Sequence, residues 1–390
     1  SDGSLDLLHQ NRRSTPTRKM IIENVVASFP TRTVSNEEVI DLIRFHSKAN
    51  FEGDLPQALN TIQTFLDQSG LITRQWQAQR ERPIDHLEKA VSSVRSGSAL
   101  KLTDIDLFIY VGVGRGFREP GNSYMAAKAL GITRAECFDV IDAGMSWTRA
   151  LSLVDSLFST SPYRNALVVN AEFNVTNGGS VRPGDFVLQS PAQVNQALVS
   201  YTIGEAATAT LLRPEQPDNF QITIHSRPDL ADVFMVPNED VWNVHRQAEV
   251  QAVLGTDRLT VKQDELGRSV AQAISHLVES TGVSDQDVDI VLTHTSPISD
   301  WQAAIARQGL SEKAYRIYPR TGNIVSASIP AALAMATEEA TAIAITTVTA
   351  TAMVTAMVTA MVTATAMVTA TVVRVAKAVN NANPYLTYPV

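Results

Sequence analysis

Three loops of this sequence carry groups that could act together on a carbonyl compound. They are DAGMSW around Gly144, THTSPISDW with His294, and RTGNIVSASIP with Asn323. A turn between a strand and a helix exposes backbone N–H groups, which suit a nucleophile and the oxyanion that it generates. A histidine and an asparagine side chain can donate hydrogen bonds to a thioester oxygen. Each signal is weak alone, because a histidine at the end of a strand is more often structural than catalytic.

Two residues are candidates for the nucleophile itself. Cys137 is the one cysteine of the chain, and thiols of intracellular enzymes are often nucleophiles. Ser146 lies in GMSWT, which resembles a G-x-S-x-G nucleophile elbow with Thr148 in the last place.

Neither a metal nor a tightly bound cofactor is expected. One cysteine excludes a zinc site built on cysteines, and the seven histidines show no metal-ligand spacing. The loop GVGRGF suggests a dinucleotide site, but Phe117 stands where the third glycine of GxGxxG belongs.

The elements that must position these loops alternate between strand and helix. IDLFIYVGVG is an apolar run typical of a buried parallel strand, and SNEEVIDLIRFHS begins with a capping-box pattern that predicts a helix. This alternation predicts an α/β protein with ligands bound outside the carboxyl ends of its strands. The rhythm recurs after the polar segment PEQPDN, which indicates a duplicated unit. We therefore expect a tag or flexible arm at 1–19 and two halves at 20–213 and 219–390.

Composition narrows the class of protein. The 390 residues carry a net charge of −8, which argues against a general nucleic-acid binder. A hydrophobic content of 44% with 18% charged residues is ordinary for a soluble protein, so wholesale disorder is not expected. Residues 1–19 lack the apolar segment of a signal peptide, and we expect a cytoplasmic protein.

The stretch Thr341 to Val373 contains only Ala, Thr, Val, Ile and Met. Its length would span a membrane, but it is rich in Thr and lacks Leu, Phe, Trp and Tyr. Since Thr and Val favour β-structure, a buried pair of strands is the preferred interpretation. An error in the recorded sequence is the other alternative, and an intact-mass measurement would reveal it.

Four segments in order resemble one protein family. FDVIDAGMSWTRAL, YTIGEAATATLL, VLTHTSP and RTGNIVSASIPAAL together resemble the ketoacyl-ACP synthase III branch of the thiolase superfamily. The resemblance covers roughly residues 20 to 340 and extends to GLITRQW near residue 70. It implies a five-layered αβαβα thiolase fold of two βαβαβαββ halves, usually as a homodimer. Such enzymes condense an acyl group from acyl-CoA, carried on a cysteine, with malonyl-ACP, or transfer it to another acceptor.

The resemblance also implies roles for individual residues. The histidine and asparagine of the family fall on His294 and Asn323, where they polarise the thioester and stabilise the enolate formed when malonyl loses CO₂. The nucleophilic cysteine falls on Gly144, which leaves Cys137 as core packing. Contacts with CoA or acyl carrier protein (ACP) are assigned to Arg74, Trp76 and Arg246, and a basic patch for acidic ACP to Arg115, Arg118, Arg246 and Lys262.

This sequence also departs from the family pattern. The family often has HQAN where this chain has His294-Thr295-Ser296-Pro297, and Ser299 replaces a basic residue that would contact a CoA or ACP phosphate. The glycine-rich loop near the C-terminus is not visible. The loop before SYMAAKAL, which shapes the acyl pocket of the family, carries Arg118 and Glu119 and indicates a polar or unusual acyl group.

Glycine at position 144 has no side chain to acylate, so covalent transfer through it is excluded. Three explanations remain. The preferred one is an engineered inactive variant of a condensing enzyme. The second is a naturally non-catalytic partner subunit or acyl-binding module. The third is another reaction, such as decarboxylation or direct acyl transfer, using His294 and Asn323. Retention of both these residues favours an enzyme over a binding module.

Overall fold

The computed structural model describes residues 19–215 apart from 97, 118, 176–180 and 182, isolated residues between 222 and 286, and residues 288–346, 356–363 and 367–374. The arm expected at 1–19 lies outside this part of the chain except for Lys19, which begins the first strand. In chain order, the elements up to residue 215 are β1 (Lys19–Ser28), β2 (Arg32–Ser35), α1 (Asn36–Ser47), α2 (Leu55–Ser69), β3 (Thr73–Trp76), α3 (Pro83–Val94), β4 (Leu107–Val111), α4 (Asn122–Leu130), β5 (Glu136–Val140), α5 (Ser146–Thr160), β6 (Ala166–Glu172), α6 (Val194–Ala197) and β7 (Ala206–Glu215).

A five-stranded mixed sheet organises this region, in the order β1-β7-β6-β4-β5. Strand β4 pairs in parallel with both β5 and β6, whereas β7 runs antiparallel to β6 and β1. The carboxyl ends of β4, β5 and β6 therefore meet at one edge, where the loop around Gly144 begins.

Strand β4 is buried on both faces, as its apolar run predicted. Its residues alternate between two cores because successive side chains of a strand point to opposite faces. Ile109 joins the core that contains Trp147 of α5, and Phe108 joins the core that contains Leu87 of α3. Helices thus cover both faces of the sheet.

The start of α1 follows its sequence signal. The Ser35 hydroxyl accepts a hydrogen bond from the Glu38 N–H at 3.1 Å, which satisfies one of the free donors at the helix start. The predicted helix SNEEVIDLIRFHS is confirmed, and its buried face consists of Val39, Ile40 and Ile43 with Ser47.

The later part of the chain contains a further pair of parallel strands. Residues Val291–Leu292 and Ala314–Tyr315 form two strands that lie side by side, with the helix Ile298–Arg307 between them in sequence, which is a βαβ unit. The greater part of the second half lies outside the described residues, so the duplication stays a prediction. The remaining elements are β8 (Phe234–Met235), β9 (Thr260–Val261), β10 (Val291–Leu292), α7 (Ile298–Arg307), β11 (Ala314–Tyr315), α8 (Tyr318–Thr321), α9 (Ser328–Thr346), β12 (Ala356–Thr363) and β13 (Met367–Arg374).

The unusual Ala/Thr/Val/Met stretch contains both helix and strand. Helix α9 continues to Thr346, where strands had been expected, and contacts β1 and β7 of the large sheet. Strands β12 and β13 pair antiparallel from Ala356↔Arg374 to Thr363↔Met367, in agreement with the expected pair of strands. Among the helices described, none combines the length and apolar character needed to cross a membrane.

Candidate active site

The loop around Gly144 is a tight turn between β5 and α5. The Met145 N–H donates to the Asp142 carbonyl at 2.8 Å, and the Ser146 N–H donates to the Ala143 carbonyl at 3.1 Å. Ala143 adopts a φ of 43°, in the left-handed region that residues with a side chain rarely occupy. Such strain is concentrated at functional sites. The expected strand–turn–helix unit is therefore present, with Gly144 two residues before Ser146, the first residue of a fifteen-residue helix.

The hydroxyl of Ser146 is used within this turn. It accepts a hydrogen bond from the Asp142 N–H at 2.8 Å and donates one to the Ala143 carbonyl at 2.6 Å. The residue is completely buried. Ser146 thus stabilises the turn, and the suggestion that it is a nucleophile is not supported.

Cys137 does not resemble an activated thiol. It lies half-buried in β5, where Sγ contacts the Ala135 carbonyl at 3.5 Å. Burial and then the nearby Asp139 carboxylate raise the pKa of the thiol, which disfavours the thiolate. Its contact with the core that contains Leu87 agrees with the expected packing role.

His294 and Asn323 come together at the backbone of Val325. Asn323 Oδ1 accepts a hydrogen bond from the Val325 N–H at 2.9 Å, which leaves the amide N–H groups of Asn323 as donors. His294 is buried, and burial lowers its pKa to about 3, although a hydrogen bond with the Val325 backbone opposes the shift. The imidazole is therefore neutral near pH 7. No hydrogen bond reaches its Nδ1 from the described part of the chain.

Hydroxyl groups join the two loops that carry these side chains. Thr295 Oγ1 accepts a hydrogen bond from the Ile324 N–H at 2.9 Å and lies 2.7 Å from Ser328 Oγ. Ser328 Oγ in turn donates to the Val325 carbonyl at 2.6 Å. The threonine that replaces the usual glutamine after the histidine thus ties the His294 loop to the Asn323 loop.

The Asn323 backbone is anchored on the first half of the chain. Its N–H donates to the Thr202 carbonyl at 2.8 Å, and its carbonyl accepts from the Gly204 N–H at 2.9 Å. Gly322 allows this close approach: it has a φ of 66°, and a Cβ there would overlap the Thr202 carbonyl oxygen.

Arg74 and Trp76 support this anchor from behind. The Arg74 guanidinium is fully buried and donates to Asn36 Oδ1 at 2.8 Å and to the Tyr201 carbonyl at 3.0 Å, and burial lowers its pKa to about 10. Trp76 Nε1 donates to the Ile203 carbonyl at 2.8 Å. A contact with a CoA phosphate needs an accessible cation, which the buried Arg74 does not offer, so its burial does not favour the predicted contact; the two side chains instead bond to residues 201 and 203, next to the segment that anchors Asn323.

Of the four residues expected to form a basic patch, Arg115 is the one that the structure describes. Arg115 pairs with Asp139 at 2.5 Å and donates to the Gly112 carbonyl at 3.1 Å. Its charge is thus partly engaged within the protein. The other candidates, Arg118, Arg246 and Lys262, lie outside the described residues.

Two buried carboxylates were missed by sequence reasoning. Glu172 ends β6 and Glu205 precedes β7, and both are almost completely shielded from solvent. Glu205 accepts from the backbone N–H groups of Gln77 at 2.6 Å and Val175 at 3.0 Å, and burial raises its pKa to about 7. An acidic residue at the end of an otherwise apolar strand was the available signal.

A cavity of about 510 Å³ lies on the opposite face of the sheet, between α3 and α4. It also was not predicted. Gly144, His294 and Asn323 are not among its lining residues, which include Ile84, Leu87, Phe117, Met125, Ala126 and Phe173. No group of three or more His, Cys, Asp or Glu within the described part of the chain could hold a metal ion.

Comparison with known proteins finds similar sequences and similar structures. Residues 278–364 match the model of the 3-oxoacyl-[acyl-carrier-protein (ACP)] synthase III C terminal. Among curated relatives, the beta-ketoacyl-[acyl-carrier-protein] synthase III of Alkalilimnicola ehrlichii is 24% identical over 295 residues, covering 73% of this chain and 85% of the relative. The Symbiobacterium thermophilum protein of the same name is 23% identical over 306 residues, covering 73% and 84%.

Solved structures of OleA from Xanthomonas campestris share the fold. The cerulenin-bound form has a TM-score of 0.72 at 16% identity and covers 92% of this chain and 97% of its own. A cysteine-to-serine variant with bound lauric acid and lauroyl-CoA has a TM-score of 0.71 at 16% identity, covering 92% and 99%. The sequence matches thus make the chain similar, at low identity, to ketoacyl-ACP synthase III condensing enzymes, and the solved structures show that it shares the fold of OleA.

Proposed function

We propose that this chain has the framework of an acyltransferase that moves an acyl group from acyl-CoA or acyl-ACP to malonyl-ACP or another acceptor, in a form that lacks the nucleophile. The observation that carries the proposal is the neutral, buried His294 beside Asn323, both at the Val325 backbone. The 3₁₀ turn Val325–Ala327 contacts α5, the helix that follows Gly144.

The chemistry follows from hydrogen-bond donors in a site shielded from water. An amide N–H of Asn323 can donate to the oxygen of a thioester, and the His294 ring can donate there when its N–H leaves the Val325 backbone. When a malonyl group loses CO₂, the C–C bond breaks and its electron pair forms an enolate, whose oxygen accepts these two hydrogen bonds. The enolate carbon then attacks an acyl thioester, or takes a proton from water if no acyl group is present.

Acyl-CoA is the proposed donor. A structural relative of this chain binds lauroyl-CoA, and the sequence relatives are ketoacyl-ACP synthases. The acceptor would be malonyl carried on ACP. CoA and ACP act here as substrates or carriers, and the proposal needs no resident cofactor.

We propose further that Gly144 occupies the position of the missing cysteine, as in an engineered inactive variant. The strained Ala143 and the turn that begins α5 support this, because they form the kind of turn that presents a nucleophile. Acylation needs a side chain, so the chain as it stands forms no acyl-enzyme.

Installing the thiol tests the proposal directly. Gly144→Cys combined with Cys137→Ala should be labelled by a radioactive acyl-CoA, and Gly144→Ala with Cys137→Ala is the matched control without a thiol. Labelling at stoichiometric level in the first variant alone supports the proposal. An unlabelled Gly144→Cys variant with an unchanged circular dichroism spectrum would contradict it.

A non-catalytic partner subunit is the second candidate, and Gly144 itself favours it. Malonyl-CoA decarboxylation separates the two candidates, because it depends on His294 and Asn323 and not on a nucleophile. A rate above background that disappears in His294→Ala supports an enzyme. Equal background rates for both proteins would support the partner subunit.

A homodimer through β5 is part of the same proposal. In the described sheet β5 is an edge strand, and large apolar side chains are exposed beside it, including Tyr124, Met125 and Ile141. Ile141 is 64% exposed although it directly follows the strand. Light scattering on the purified protein should give twice the chain mass, and Ile141→Lys should lower that mass.

A further inference from the structure

The carboxylate of Glu172 is surrounded by hydrogen-bond donors. Oε2 accepts from the Gly114 N–H at 2.8 Å and from Asn174 Nδ2 at 2.9 Å. Oε1 accepts from the Val113 N–H at 3.1 Å, from the Ser326 N–H at 3.3 Å and from Ser326 Oγ. The side chain is fully buried, and every one of these partners is a neutral donor. A residue that served only for packing in an apolar strand would not need so many hydrogen bonds.

These donors come from three separate segments. Val113 and Gly114 follow β4, Glu172 and Asn174 lie at the end of β6, and Ser326 belongs to the turn Val325–Ala327. One carboxylate therefore joins two strand ends of the large sheet to a turn more than 150 residues later in the chain. Asn170 extends this connection, since its Nδ2 donates to Ser326 Oγ at 2.7 Å.

The glycine at position 112 is required for this arrangement. Gly112 has a φ of 117°, and a Cβ there would lie inside van der Waals contact with Glu172 Oε1 and 2.6 Å from Ser326 Oγ. The loop after β4 thus approaches the carboxylate so closely that no side chain fits between them.

The turn that Glu172 binds is the one on which the candidate site depends. Val325 has a φ of 51°, an unfavourable conformation for a β-branched residue. Such a conformation persists only when the surrounding contacts enforce it. The hydrogen bonds of Glu172 to Ser326 hold the next peptide of the chain. In this conformation the Val325 N–H donates a hydrogen bond to Asn323 Oδ1. The Val325 backbone also forms a hydrogen bond with His294.

We infer that Glu172 is a positioning residue, which holds the Val325–Ser326 backbone so that the Asn323 amide and the His294 ring are oriented for the thioester oxygen. The role in catalysis rests on the proposed function, whereas the structural coupling does not. Glu172 itself touches neither of the two side chains and acts through the turn.

Glu172→Gln is the sharpest variant, because it keeps the size of the side chain and replaces one acceptor oxygen by an NH₂ group. Every neighbour of the carboxylate is a donor, so the NH₂ group faces other N–H or O–H groups and the turn must shift. Glu205→Gln is the matched control. Glu205 is also buried, but it binds the Gln77 and Val175 amides and not the turn.

The primary measurement is NMR of the ¹⁵N-labelled protein. The His294 ring signals are identified by their loss in His294→Ala, and the Asn323 side-chain amide signals by their loss in Asn323→Asp. We expect both sets to shift in Glu172→Gln and to stay in place in Glu205→Gln. Unchanged signals in a folded Glu172→Gln protein would overturn the inference.

The second measurement is the rate of malonyl-CoA decarboxylation. A displaced donor should lower kcat by about 10- to 100-fold with little change in KM, because it acts mainly in the transition state. If the NMR signals shift but no variant, including the unaltered chain, decarboxylates malonyl-CoA, the coupling stands and the proposed function fails.

A milder variant covers the case in which Glu172→Gln does not fold. Ser326→Ala removes one donor and leaves the carboxylate in place, and we expect smaller shifts of the same His294 and Asn323 signals. Signals identical to those of the unaltered chain would count against the inference as strongly as the same result for Glu172→Gln.

Discussion

The turn around Gly144 and the turn around Val325 differ in the side chains that they carry. The first has a strained backbone, a serine hydroxyl that bonds within the turn, and glycine at position 144. The second has a strained backbone together with His294 and Asn323. Both turns have a strained backbone, so the difference between them lies in the side chains, and this is the difference on which the proposed loss of a nucleophile at Gly144 rests.

Removing the side chain of His294 should have the largest effect on the second turn. In the Gly144→Cys background, His294→Ala should lower the condensation rate by about 10² to 10³-fold, the usual cost of losing one donor to a developing oxyanion. Rapid-quench assays with acyl-CoA and malonyl-ACP provide the measurement. Acylation of the new cysteine serves as the internal control for folding. A condensation rate within a factor of about two of the parent would mean that this turn does not take part in the chemistry.

Gly112→Ala should destabilise the protein through the second turn. The added Cβ overlaps Glu172 and Ser326 and requires a φ that alanine adopts poorly, so we expect a loss of about 2–4 kcal/mol in the free energy of unfolding. Urea denaturation measures it. Gly116→Ala is the control, because a Cβ there meets nothing within 4 Å. Equal losses for the two variants would show that the contact with Glu172 is not responsible.

His294 and Glu205 should contribute to the pH dependence of stability with opposite signs. Burial lowers the pKa of His294 from 6.5 to about 3, so the unfolded chain binds more protons between these values and the contribution of His294 is lost as the pH falls from about 6.5. Burial raises the pKa of Glu205 from 4.5 to about 7, so its contribution is lost as the pH rises through that window.

The two variants should therefore change the pH profile in opposite directions. Relative to His294→Asn, the unaltered protein should gain stability as the pH rises from 4 to 6.5, by at most about 1.4 kcal/mol per pH unit. Relative to Glu205→Gln, it should lose stability between pH 5 and 7. Thermal unfolding across this range measures both differences, and slopes of the same sign would contradict the assignment of burial to both groups.

Ser146→Ala should have the smallest effect and tests the first turn. Loss of its two hydrogen bonds should cost about 1–2 kcal/mol of stability. Ser156→Ala, which removes an exposed hydroxyl bonded to the Ser152 carbonyl of the same helix, should be nearly neutral. Thiol acylation in the Gly144→Cys background should survive Ser146→Ala. Its complete loss would return Ser146 to the list of reactive groups.

Local patterns predicted the elements well. The Ser35 cap, the doubly buried strand β4 and the turn before α5 each depend on neighbouring residues, so the sequence contains the information directly. The approach of His294 to Asn323 was expected from the family resemblance, and spacing alone would not have given it.

Contacts between distant segments were not predicted from the sequence. Arg74 was expected at a ligand, but its partner Tyr201 is 127 residues away and makes it a buried support. Glu172 was overlooked for the same reason, because its role appears only when Ser326 reaches it across 154 residues. The position of Glu172 at the end of an apolar strand could have indicated burial, but its partners lie in distant segments and cannot be read from the neighbouring sequence.

The anchoring of Asn323 on residues 202–204 also limits how such a protein can be recombined. The amide that is proposed to meet the thioester belongs to the later part of the chain, yet its backbone bonds to Thr202 and Gly204 of the earlier part. Exchange of residues 288–346 for those of a relative would carry His294 and Asn323 across but leave behind the surface that orients them. A chimera with a working site would need Thr202, Gly204 and Glu172 matched to the incoming segment, so these two parts of the chain can change only together.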